Sequence, residues 1–146
     1  MDKLLCGTAS MAVELDSGIG EVRLSGILSS RSTEIIRLRE RWALKQDARA
    51  QVVCVRGGLL ALNESCFDAE ACRGSVTPIT FVVTADQMGQ FRRYCRLSTE
   101  RGHRRAAFTS HAQARAWAER QAALADYWGQ LESQFRHPCA HLQPHA

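Results

Sequence analysis

The chain has 146 residues, 45% of them hydrophobic and 23% charged, with a net charge of +4. That length suits one domain, and that composition excludes a disordered chain, a collagen-like chain and a small disulfide scaffold. The longest uninterrupted apolar run, near Gly57–Leu62, is too short to span a bilayer, and the opening Met1-Asp2-Lys3-Leu4-Leu5 lacks the pattern of a secretory signal. A soluble, cytoplasmic protein with no membrane contact is expected.

In chain order, residues 1–9 read as a loose leader. Met11, Val13 and Leu15 alternate with polar neighbours, Asp16–Gly20 reads as a turn, and Glu21–Ser25 alternates again. This is the pattern of a hairpin with one face exposed. Ser29 and Ser30 can cap a helix over roughly residues 31–48, where Ile35, Leu38 and Trp42 recur at helical spacing and Arg37, Arg39, Glu40 and Arg41 form the wet face. Val52–Val55 is an unbroken apolar run, as a strand covered on both faces requires. Arg56-Gly57-Gly58 reads as a break, and residues 59–63 fit either a loop or a helix start.

Ser65 precedes a short helix over Cys66–Cys72, with Asp68 and Glu70 near its positive end. Ile79–Val83 is a second buried strand. Asp86 can cap a helix over roughly 87–101 with an apolar stripe of Met88, Phe91 and Cys95, and Gly102 is a helix stop. Arg105–Phe108 is a short strand, and Ser110 with Gln113 forms a capping box for a final helix. That helix carries Ala114, Trp117, Ala118, Leu124, Trp128, Leu131 and Phe135 on one stripe until His137-Pro138 ends it. The expected fold is α/β, a single mixed β-sheet with packed helices in the order β-β-α-β-α-β-α-β-α. The domain spans 10–136, and 137–146 is a flexible tail containing His and Cys.

Two stretches resemble the STAS-like family, the anti-sigma-factor-antagonist type with its bacterial single-domain relatives. One is the Val13–Leu24 hairpin followed by Ser25-Gly26-Ile27-Leu28 and a helix. The other is Arg105-Ala106-Ala107-Phe108-Thr109-Ser110-His111-Ala112-Gln113-Ala114-Arg115-Ala116-Trp117, which is similar to the family's last strand, Phe-Thr turn and Trp-bearing helix. The resemblance covers about Ala12 to Gln121. It implies a non-enzymatic regulatory domain whose protein partner is a kinase or an anti-sigma-type regulator. It also implies a phosphoserine at the start of the second helix. Ser65, in Asn63-Glu64-Ser65-Cys66-Phe67, occupies the matching position, although the family's Gly is missing and Phe67 is bulky. A phosphate there would meet free N–H groups but also Glu64, Asp68 and Glu70, and a plain N-cap is the simpler reading of Ser65. A small-molecule or lipid-binding domain of the same fold is the alternative function.

Other chemistry is thinly represented. No Gly-rich phosphate loop, H-E-x-x-H or G-x-S-x-G sequence occurs, and no cofactor is expected. The six cysteines form no C-x-x-C pair and are expected as reduced thiols. The tail's His137, Cys139, His141 and His145 are metal-capable types without regular spacing, so no metal site is assigned. Arginine outnumbers lysine 17 to 2, and Arg92, Arg93, Arg96, Arg101, His103, Arg104 and Arg105 form a basic run. Lacking interleaved aromatics, the run does not point to a nucleic-acid partner. Trp117 should lie over the domain's own sheet, and Trp128, about 16 Å further along the helix, beyond it. Trp128, Leu131 and Phe135 then mark either a homodimer interface or a surface covered by the first helix or the leader.

Overall fold

The computed structural model describes residues 2–6, 9–28, 33–60 and 77–142, with side-chain burial for 9–27, 35–58 and 77–134. Within these residues the chain forms β1 (Asp2–Cys6), β2 (Ala9–Asp16), β3 (Ile19–Leu28), α1 (Thr33–Lys45), β4 (Ala50–Leu60), β5 (Ile79–Val82), α2 (Met88–Glu100), β6 (Arg105–Phe108) and α3 (His111–Leu142). The six strands make one sheet in the order β1-β2-β3-β4-β5-β6. β1 to β3 run antiparallel to one another, and β3 to β6 run parallel. The fold is therefore α/β with a single mixed sheet, as expected.

The hairpin closes as a two-residue turn. Asp16 pairs with Ile19, and Ser17 and Gly18 both have positive φ, 51° and 79°. Such a turn matches the twist of the flanking strands and favours Gly at its second position. Gly20 has a different constraint. A Cβ there would stand 3.0 Å from the ring of Trp42, so the missing side chain lets α1 lie close to β3.

Two cores flank the sheet. On one face, Met11, Val13, Val22, Val53, Val55, Ile79, Phe81 and Val83 pack against Ile35 of α1 and Phe91 and Cys95 of α2. On the other, Ile19, Ala50, Val52 and Val82 pack beneath Ala114, Ala118 and Ala122 of α3. Odd and even residues of β4 thus serve opposite cores, and this explains its unbroken apolar run. Helix ends follow local chemistry. Gly102 (φ 84°) follows α2, with the His103 N–H on the Ser98 carbonyl at 2.9 Å and the Gly102 N–H on Thr99 at 3.0 Å. Both bonds cap carbonyls that the helix leaves open. Ser110 Oγ accepts from the Gln113 N–H at 3.4 Å at the start of α3.

Several expectations are corrected. Residues 2–6 are not a loose leader but an edge strand on β2. Gly57-Gly58 does not break β4, because Ser25 and Gly26 of β3 pair with these glycines, after a bulge that absorbs one extra β4 residue. Arg39 is not on a wet face. It is 5% exposed, and its Nη1 donates to Gln51 Oε1 at 2.5 Å. Asp86 does not cap α2: Gln87 is the N-cap, without a side-chain cap bond, and Thr84 and Gln87 close the turn ahead of it. α3 continues through His137-Pro138 to Leu142, although the proline removes one backbone bond from the ladder there. The segment read as a helix over Cys66–Cys72 lies outside the described residues.

Candidate functional site

α3 is the element with the most unusual balance of buried and exposed surface. Its alanines at 114, 118 and 122 recur every four residues, so a narrow smooth face lies close over the sheet. Trp117 packs beside them. Polar contacts fix the helix laterally. Arg115 reaches Glu21 at 2.9 Å, Asp16 at 3.2 Å and Glu119 at 2.9 Å, and also donates to the Asp16 backbone carbonyl at 3.1 Å. Burial alone would lower the Arg115 pKa, but the bonds to Glu119 and Glu21 and the charges of Asp16 and Glu21 outweigh it, so the guanidinium is held above its ordinary value. His111 Nε2 lies 3.0 Å from Glu21, Arg104 donates to Gln121 at 3.1 Å, and Arg49 pairs with Asp126.

Past Ala122 no described residue of α3 is fully buried up to residue 134. Leu124 is 44% exposed, Tyr127 54% and Trp128 60%, and the Tyr127 and Trp128 rings meet edge-on at 5.9 Å. Leu131 is half-buried, and the Phe135 side chain lies outside the described residues. Trp117 and Trp128 therefore fall on the two sides of the boundary expected for them, one against the sheet and one clear of it. Leu124 and Tyr127 extend the exposed surface around Trp128. Helical periodicity already implicates Leu124. Tyr127 is found only once the direction of α3 over the sheet is known.

A second region is the C-terminal edge of the parallel strands, the usual ligand side of such sheets. Here β3 and β4 pair on through Leu28 and Leu60, well past the end of β5. Gln87 governs this edge. Its Nε2 donates to the carbonyls of Val55, within the β4 bulge, at 3.2 Å and of Gly58, just past it, at 3.1 Å. Its Oε1 accepts from the Thr84 N–H at 3.0 Å, and the Thr84 hydroxyl accepts from the Gln87 N–H at 3.3 Å. These reciprocal bonds close the turn before α2, and the same amide also holds a strand. Nothing in the sequence around Gln87 signals the second duty. Ser65 lies outside the described residues.

The remaining candidates resolve into structural roles. Cys54 and Cys95 are free thiols, and burial, opposed in part by the charge of Arg105, pushes the Cys95 thiol up to about 12. Such a thiol is a small hydrophobe rather than a nucleophile. The basic run divides: Arg105 is 7% exposed and donates to the Thr77 and Arg104 carbonyls at 2.8 Å, while Arg92, Arg93, Arg96, Arg101 and Arg104 are exposed. Among the described residues no three His, Cys, Asp or Glu side chains gather as metal ligands, and no helix is long and apolar enough to cross a membrane. No protein-family model matches the chain, and no curated protein matches it.

Proposed function

We propose that this chain is a non-enzymatic regulatory module of the cytoplasm that acts by protein–protein contact, as its resemblance to anti-sigma-factor antagonists implies. The distal half of α3 is its contact surface, and the simplest occupant is the same helix of a second copy across a two-fold axis. The observation that carries this reading is the exposure of Leu124, Tyr127 and Trp128 on one helix that is otherwise firmly seated. Large apolar side chains grouped on a surface mark an interaction site. Burying each contributes roughly 1.5–3 kcal/mol before ordering costs, so a few per chain support a stable pair.

Sedimentation of Trp128→Glu beside the parent tests the reading. The parent sediments as a dimer and the variant as a monomer; a monomeric parent, or a variant that stays dimeric, overturns it. In the same reading a partner kinase phosphorylates Ser65. Label from ATP then appears in the parent and is lost in Ser65→Ala.

A further inference from the structure

Between residues 92 and 105 the chain holds six arginines and a single carboxylate, Glu100. Arg105 is buried among carbonyls and Arg104 is engaged by Gln121. The Arg92, Arg96 and Arg101 side chains are exposed and make no hydrogen bond or ion pair among the described residues. This placement is electrostatically unfavourable for α2. Arg92 and Arg96 are four residues apart, where like charges repel along the helix, and Glu100, four residues beyond Arg96, offsets only the second of them. The first turn of α2 holds no acidic residue that could pair with Arg92 along the helix. The rest of the helix is well satisfied, with its apolar face on Phe81 through Phe91 and Tyr94 and the turn before it closed by Thr84 and Gln87. The unfavourable charge is therefore confined to the outward face, where an anionic partner would relieve it.

We infer that the outward face of α2 is a second docking surface, on the opposite side of the sheet from α3, for an acidic segment of a partner protein. The occupant follows from chemistry. Arg presents a planar fork that pairs with carboxylates in two-point fashion. An acidic helix with carboxylates four residues apart matches the rise between Arg92 and Arg96, about 6 Å. A nucleic-acid strand fits less well. The aromatic rings of α2 that could stack on bases, Phe91 and Tyr94, are turned onto Phe81, and Asp86 and Glu100 bound the face at either end. The inference is independent of the α3 interface.

Fluorescence anisotropy of the full chain tests it. The probes are a labelled helical peptide with glutamates at every fourth position, a labelled DNA duplex and a labelled DNA single strand, all at low ionic strength. The peptide should bind, and Arg92→Glu with Arg96→Glu should weaken it by about tenfold or more. Arg23→Glu with Arg120→Glu, the same charge change on the α3 side, and Trp128→Glu should each leave it nearly unchanged. Arg92→Gln with Arg96→Gln should give an intermediate loss with an unaltered thermal melt, so the result does not hinge on one variant's folding. The proposal is overturned if the peptide does not bind, if both Glu pairs weaken it equally, or if either DNA binds more tightly than the peptide through Arg92 and Arg96.

Discussion

Gln87 makes three hydrogen bonds with one amide, and each satisfies a backbone group at a different point of the fold. Gln87→Ala would leave the Val55 and Gly58 carbonyls and the Thr84 N–H without this partner. A cost of about 1–3 kcal/mol is expected, read from urea unfolding. Gln87→Glu keeps the acceptor for Thr84 but offers no donor to the two carbonyls, so it should be destabilising as well, while Gln87→Asn should fail by reach alone. Cys95 supplies a pH dependence. Its thiol moves from an ordinary 9.0 to about 12 because burial disfavours the thiolate, with Arg105 acting against the shift. Between these values the unfolded chain loses a proton that the folded chain keeps, so stability is full below about pH 9 and falls as the pH rises towards 12. Cys95→Ala should flatten that alkaline decline in a series of denaturation curves.

Among the elements, those with a clear period were legible in the sequence. β2 and β3 alternate, β4 and β5 are continuous apolar runs, and α1, α2 and α3 show helical stripes. β1 was not legible because Asp-Lys-Leu-Leu-Cys has no alternation, and its strand character comes from pairing with β2. The length of β4 was hidden for a similar reason. Gly57 and Gly58 look like a break in isolation, and only the partner strand shows that they continue a ladder. Arg39 was misjudged because an arginine on a helix surface is ordinarily wet, while its buried acceptor, Gln51, lies in another element. The exposure of Trp128 was legible because it depends only on helix length against sheet width. It leads to a contrast within α3. Trp117→Ala should cost about 2–3 kcal/mol by opening the core beneath the helix. Trp128→Ala should change the stability of a dilute, dissociated chain by no more than about 0.5 kcal/mol. Denaturation at low protein concentration separates the two.

At the scale of the whole molecule, β1 and β6 are the outermost strands among the described residues, and β1 shields the alternating β2. Deleting residues 1–7 would make β2 the edge, with Met11 and Val13 on a strand open to pairing with other chains. Light scattering should then show association that grows with concentration, even in a Trp128→Glu background. The strand order carries a further consequence. Each strand lies beside the one made just before it, and no later strand is inserted between two earlier ones. During synthesis the sheet can therefore grow by accretion, every new strand meeting a neighbour already in place, although each parallel pairing, such as Ile19 with Ala50 or Gln51 with Ile79, must close a long crossover. The exception is α3, which must travel back from β6 to cover Ile19 and Ala50. Among the described residues only α3 covers that face, so a nascent chain would be most vulnerable to misassembly until α3 is complete.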